Sequence, residues 1–351
     1  MKILINTPSL KLLGGVANHY EGLKDFWTGN VRYNTIGKRT PQSGSGKYWL
    51  PWDIVKFLFK LMTFHPDVVL LNPSLGNSAL KRDFIFLRIA CFFRFKVALF
   101  IHGFDWDYAK QIDKEWAAKY LNKSSLIFVL AKTFKNELES WGVTVPICLS
   151  TTKVDDKLLE NYDSVVSRDG KIKNILFLAR IEETKGTFIT IESYRILKMQ
   201  YPDLQLTIVG DGTDLPKVKQ YIKRYNLKDV TITGRLWGKD IIKSYQDADV
   251  FFFPTYYGEG MPTVVLEAMA FGLPVFTRNV GGLPDFFENG KMGYITDSLN
   301  AEDFAKALIP YIENTQLTQQ VSHYNARYAK EHFMASRVAK ELELLIKNYS
   351  K

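Results

Sequence analysis

Short apolar runs alternate with amphipathic stretches along nearly the whole chain. In the first half, residues 2–7, 31–36, 67–72, 96–102 and 125–130 form apolar runs of strand length bounded by turn residues. The segments between them, 16–28, 51–64, 82–94, 108–121 and 131–141, read as helices. A polar, charge-rich connection at 151–171 interrupts the pattern and reads as a hinge. A second series then predicts strands at 172–179, 204–209, 230–233, 248–253 and 274–277, with helices at 187–200, 214–226, 238–246 and 263–271. Such alternation implies parallel sheets with helices on both faces. The expected fold class is α/β, two doubly wound Rossmann-like domains at 1–160 and 170–329. The tail from Arg327 to Tyr349 has helical spacing, and a helix at about 330–351 is expected to pack back on the first domain.

Open parallel sheets bind ligands beyond the carboxyl ends of their strands, and those ends carry the notable residues. After the first strand stands Gly14-Gly15, which lets backbone approach a phosphate at a helix start. After the fourth stands His102, at a position where a hydrogen-bonded scaffold histidine is the plainer reading. In the second domain Arg180 leaves a strand and Lys185 stands just before a helix, two cations placed to clamp a pyrophosphate. Gly210 and the run Gly234-Arg235-Leu236 end two further strands, where close backbone approach suits a nucleobase.

The run from Gly258 to Glu267 (GEGMPTVVLE) is the centre of the pattern. Thr263 is expected to cap a helix ending at Gly272, so that Glu259 lies in a loop and Glu267 about two turns inside the helix. Free N–H groups at that helix start, at Thr263 and Val264, favour an anion. Glu259 accepts bonds from hydroxyls beside it. Phosphate next to a hydroxyl-rich sugar is the ligand this pattern describes. A further glycine pair, Gly281-Gly282, precedes a proline-started helix.

Composition narrows the class. Apolar residues make up 46% and charged residues 24%, as in soluble globular proteins. Cys91 and Cys148 give neither a disulfide framework nor metal-ligand spacing. The longest apolar block, residues 84–93, is too short to span a bilayer, and the opening apolar run, residues 1–6, is not expected to act as a signal peptide, being far too short. Residues 1–100 hold 14 Lys and Arg against 5 Asp and Glu, whereas residues 101–351 hold 32 of each, so the net charge of +9 lies wholly in the first hundred. That asymmetry points to an anionic partner for the first domain. Two segments concentrate it. Residues 47–64 surround a polar stripe of Asp53, Lys56 and Lys60 with Trp49, Trp52, Phe57 and Phe59. Residues 81–96 mix five bases with five phenylalanines. Two packed helices with snorkelling bases explain such segments; so does a face seated on a membrane surface.

Taken together, Arg180-x4-Lys185-Gly186, Glu259-Gly-x-Pro-x4-Glu267-Ala and Gly281-Gly282-x-Pro-Asp resemble the motifs of family 4 retaining glycosyltransferases of the GT-B fold. The resemblance is specific over 172–298 and looser in the first half, where Gly14-Gly15 and His102 match. It implies two facing Rossmann-like domains with the active site in the cleft between them. Carried over residue by residue, it assigns Arg180, Lys185, Thr263, Val264 and the Gly15 backbone to the donor diphosphate. It assigns Glu259, Gly260 and Met261 to the donor sugar, Glu267 to the ribose, and His102 with Glu259 to the reacting centre. Gly210, Gly234, Arg235 and Leu236 would face the nucleobase. No metal and no cofactor are implied; the nucleotide-sugar is itself a substrate, with UDP preferred over GDP. The segment Cys148-Leu149-Ser150-Thr151-Thr152-Lys153 departs from the family's usual turn into the linker.

The function so implied is transfer of a sugar to a saccharide or lipid-linked saccharide acceptor, in bacterial surface-polysaccharide synthesis (capsule or lipopolysaccharide). The place implied is the cytoplasm, peripheral on the membrane's inner face, with segments 47–64 and 81–96 against anionic lipid and no role for nucleic acid. Two other readings stay open on sequence alone: a nucleotide-sugar epimerase of the same fold, and a basic scaffold without catalysis.

Overall fold

The computed structural model describes residues 1–12, 14–40, 46–164 and 168–349. The chain forms two units, one comprising Met1–Lys153, Gly258–Met261 and Ala335–Lys351, the other Val154–Tyr257 and Pro262–Met334.

The first unit is built on a parallel sheet of β1 (Lys2–Thr7), β2 (Asn30–Thr35), β3 (Val68–Leu71), β4 (Lys96–Ile101), β5 (Leu126–Val129) and β6 (Ile147–Leu149), in the order β2-β1-β3-β4-β5-β6. Its helices are α1 (Gly15–Leu23), α2 (Leu50–Phe64), α3 (Asn77–Phe92), α4 (Trp106–Gln111), α5 (Lys114–Leu121) and α6 (Lys132–Ser140). All four residues of β3 and of β5 are buried, which is why those strands read as unbroken apolar runs.

The second unit repeats the plan with β7 (Asn174–Leu178), β8 (Gln205–Val209), β9 (Val230–Gly234), β10 (Val250–Phe253), β11 (Val275–Arg278) and β12 (Gly293–Thr296), ordered β12-β11-β10-β7-β8-β9 and parallel throughout. Around it lie α7 (Thr187–Lys198), α8 (Leu215–Arg224), α9 (Lys239–Gln246), α10 (Thr263–Ala270), α11 (Ala301–Glu313) and α12 (Thr315–His332). The last helix, α13 (Ala335–Tyr349), returns to the first unit. There Glu343 accepts from the Thr28 amide and hydroxyl and from the Gly29 amide, at 2.9, 2.6 and 2.7 Å.

Several expectations need correction. Residues 108–121 are two helices rather than one, because Asp105 and Asp113 each cap a separate start. The tail likewise breaks at Phe333 and Met334 into α12 and α13. The helix expected after Gly281-Gly282 is a single 3-10 turn, Leu283–Asp285. Asp53, read as part of a polar stripe, is buried: it pairs with Arg39 and accepts from the Gly37 amide at 2.7 Å. Phe57 beside it belongs to the core. The middle of the polar loop 39–47 lies outside the described residues, as do 165–167 of the connection.

Candidate active site

Because every strand of the second sheet runs the same way, all its carboxyl ends share one edge. Two residues past β7 stands Arg180, its Nη1 2.7 Å from Glu182 Oε1. Lys185 closes the 3-10 turn Glu183–Lys185 and is buried. Its Nζ lies 3.8 Å from the centre of the Tyr257 ring, and the Arg180 guanidinium lies 5.8 Å from the same ring. Tyr257 itself is fixed by its amide, which donates to the Thr184 carbonyl at 3.1 Å and to Thr255 Oγ1 at 3.2 Å. One aromatic face thus gathers both cations of the expected clamp. The sequence reading missed Tyr257, although it directly precedes Gly258.

A cleft of about 260 Å³ opens beside Arg180. Gly210, Asp211, Arg235, Leu236, Ile241 and Val264 are among its other lining residues. Gly210 has a φ of 143°, and a Cβ there would lie 1.8 Å from the Ala179 carbonyl oxygen, so only glycine lets β8 and β7 end this close together. Gly234 follows at the end of β9, its carbonyl accepting from the Gly210 amide at 2.9 Å. Residues assigned separately to nucleobase and diphosphate therefore meet at one cleft. Asp211 and Ile241, which also line it, were not foreseen.

Helix α10 begins at Thr263 with Pro262 as its N-cap and no capping side chain. Thr263 is thus the first residue of the helix, not its cap, since proline fixes the preceding turn. Thr263 and Val264 occupy the first turn, where amides have no partner within the helix. Glu267 is the fifth residue, one turn in rather than two. Its Oε2 accepts from the Tyr245 hydroxyl at 2.8 Å. Tyr245 is fully buried and stacks on Phe271 at 5.0 Å; burial, then the Glu267 charge, push its phenol well above the ordinary range. Tyr245 therefore remains a donor and holds Glu267 as an acceptor.

In the first unit Gly14 and Gly15 lead into α1, with open space where either Cβ would stand. The segment Gly258–Met261 belongs to this unit and carries Glu259. Gly260 presses on the His102 carbonyl, where a Cβ would lie 2.5 Å from the oxygen. The Met261 carbonyl stands 3.5 Å from Thr152 Oγ1. His102 stacks on Phe100 at 3.9 Å, with Nε2 3.0 Å from Asn72 Oδ1. Burial pushes its pKa down to about 3, so the ring is neutral across the working range. Lys153 was read only as part of a divergent linker; it is a buried cation whose Nζ lies 3.5 Å from Asn18 Oδ1. Among the described residues, no group of three His, Cys, Asp or Glu is placed to hold a metal ion.

The family described as glycosyl transferases group 1 matches residues 160–328. Spore coat protein SA of Bacillus subtilis is 30% identical over 201 residues, 54% of this chain and 52% of that protein. The capsular polysaccharide biosynthesis glycosyltransferase CapM of Staphylococcus aureus is 24% identical over 222 residues, 63% of this chain and 58% of that protein. The chain thus spans little more than half the length of these curated relatives. Among solved structures, HepE of Anabaena in complex with UDP superposes with a TM-score of 0.74 at 18% identity, covering 99% of this chain and all of that one. The fold is accordingly GT-B.

Proposed function

We propose that the chain is a retaining glycosyltransferase using a UDP-sugar, a reading that starts from the match of residues 160–328 to the glycosyl transferases group 1 family. The observation carrying this reading is that Arg180 and Lys185 share the Tyr257 ring, and that Arg180 lines one cleft with Gly210, Arg235, Leu236 and Val264, the last from the helix that also carries Glu267. The UDP bound by HepE supports the choice of nucleotide.

The proposed chemistry follows from charge. Breaking the bond between sugar and diphosphate places negative charge on the leaving oxygen and positive charge on the ring. Arg180, Lys185 and the first amides of α10 stabilise the former. Glu267 takes the ribose hydroxyls, Glu259 with the Gly260 and Met261 backbone the sugar hydroxyls, and the Gly15 amide assists the diphosphate. The acceptor hydroxyl attacks on the face the diphosphate leaves, and a diphosphate oxygen takes its proton. No metal or cofactor takes part. The acceptor is a lipid-linked saccharide of a surface polysaccharide, and the enzyme works on the cytoplasmic face of the membrane. The CapM likeness supports that setting, as does an exposed aromatic and basic face of the first unit (Trp52, Phe59, Phe92, Arg88).

The test is a thermal-shift series with UDP, GDP, dTDP and their sugars in EDTA, on wild type and Lys185→Ala. Ligand at a hundred times its Kd adds about 2.7 kcal/mol of stability. Stabilisation by uridine nucleotides in EDTA, lost in Lys185→Ala, is the expected result. No shift with any nucleotide overturns the reading. Epimerised nucleotide-sugar appearing without acceptor overturns the transfer step alone.

A further inference from the structure

We propose that Asn72 is a positioning residue that decides which nitrogen of His102 carries the proton, so that His102 presents the lone pair of Nδ1 to a sugar hydroxyl. The last clause rests on the glycosyltransferase reading; the proton assignment does not.

The argument starts from the Asn72 amide, buried just past β3. Its Nδ2 lies 2.8 Å from the main-chain carbonyl of Asn6. A carbonyl can only accept, so the nitrogen must face Asn6 and Oδ1 must face the other way. On that side Oδ1 accepts from the Tyr20 hydroxyl at 2.6 Å and stands 3.0 Å from His102 Nε2. An amide oxygen cannot donate. The proton between Asn72 and His102 therefore belongs to Nε2. A neutral imidazole carries one such proton, which leaves Nδ1 as its acceptor.

The surroundings keep the ring neutral and still. Phe100 stacks on one face at 3.9 Å, and the His19 ring meets it edge-on at 5.1 Å. His19 is itself held far below the ordinary imidazole range, by burial first and then by His102 and Lys153. Its two ring nitrogens have no hydrogen-bond partner among the described residues. The titratable groups gathered here are thus His19 and Tyr20 on α1 and Lys153 beside α1. Asn72 is neutral, and among the described residues it is the hydrogen-bond partner of the His102 ring. The Asn6 carbonyl orients Asn72, and Asn72 orients His102.

The proton assignment is read without turnover, from a long-range proton–nitrogen spectrum of the full chain labelled at histidine nitrogen. His102 is expected as the Nε2–H form from pH 5 to pH 8. An Nδ1–H form, or an imidazolium within that range, overturns the proposal. Asn72→Asp then puts a carboxylate where the amide oxygen stands, which raises the His102 pKa. Below the raised value the neutral fraction falls about tenfold per pH unit. The expected result is a new acid limb in kcat, with UDP affinity unchanged, where wild type is flat. Tyr20→Phe keeps the ring and frees one side of Oδ1, while the Asn6 carbonyl still orients the amide; the Nε2–H form of His102 is expected to persist in it. An unchanged spectrum and pH profile in Asn72→Asp, or a changed tautomer in Tyr20→Phe, overturns the positioning role. A chain that shows the Nε2–H form yet transfers no sugar sinks the transferase reading and leaves the proton assignment standing.

Discussion

Lys185 is buried, yet its ammonium has somewhere to rest: the face of Tyr257. Arg180 lies over the same ring, tethered also by Glu182. Two like charges gathered beside one helix repel each other, and an aromatic face between them offsets part of that cost. Tyr257 therefore preorganises the two cations of the proposed clamp. Cation–π contacts contribute about 0.5–2 kcal/mol, so Tyr257→Leu should raise the KM for donor roughly three- to thirtyfold and change kcat less. Tyr257→Phe should behave as wild type, since the interaction uses the ring and not the hydroxyl. Equal damage from both substitutions would point to the hydroxyl and defeat this account. Nothing in the spacing of charges pointed to Tyr257. Arg180 and Lys185 were legible because cations at strand ends stand out, whereas a tyrosine before a glycine-rich turn does not.

At the scale of elements, the central strands and the edge strands β2 and β9 were legible, and the edge strands β6 and β12 were not. β3 and β10 are buried along their whole length and show as apolar runs. β6 grades from buried Ile147 to exposed Leu149, and β12 alternates buried with half-buried residues, so each lacks that mark. The split between α4 and α5 was legible in principle, since Asp105 and Asp113 are ordinary N-cap residues, and a helical period drawn across both hid it. The connection at 151–171 was read as a charge-rich hinge, and that reading did not single out Arg168, which is buried. Its guanidinium donates to the carbonyls of Tyr245 at 2.8 Å, Phe271 at 3.0 Å and Ala248, where α9 and α10 end. Helix C-termini leave carbonyls without partners, and one planar fork satisfies several at once. Those two helices carry Tyr245 and Glu267. Arg168→Ala should therefore cost about 3 kcal/mol of stability and loosen the ribose contact. Arg168→Lys should restore little of it. Urea unfolding with UDP titration on each variant checks this; a loss below about 0.5 kcal/mol would reduce Arg168 to an ordinary linker residue.

For the molecule as a whole, the telling quantity is where the charge excess meets exposed carbon. Between residues 46 and 96 there are eight Lys and Arg and three Asp, and all three acids are engaged. Asp53 and Asp83 are buried in pairs with Arg39 and Arg82, while Asp67 accepts from the Lys2 amide at 2.7 Å. Around them α2 exposes Trp52, Val55, Phe59 and Met62, and α3 ends in Phe92, which is 80% exposed. A groove of about 490 Å³ runs between the two helices, lined by Leu58, Ile85, Arg88, Ile89, Phe92 and Phe93. Three of the nine aromatic residues that the sequence offered for this face, Phe57, Phe84 and Phe86, went into the core. Those that remain form a cationic, aromatic patch. No helix among the described residues is long and apolar enough to cross a bilayer, so the patch would lie on a membrane and not span it. Burying two phenylalanines is worth roughly 3–6 kcal/mol, and each base near an anionic surface about 1 kcal/mol more. The full chain should therefore sediment with vesicles containing phosphatidylglycerol and remain free of phosphatidylcholine vesicles. Phe59→Ser with Phe92→Ser should cut binding more than tenfold while leaving UDP binding and transfer to a soluble acceptor intact. Salt alone should weaken binding only in part, because the aromatic term is not screened. Complete release by salt would reduce the face to a counterion surface, and a concentration-dependent dimer abolished by the same double substitution would make it an interface between copies of the chain.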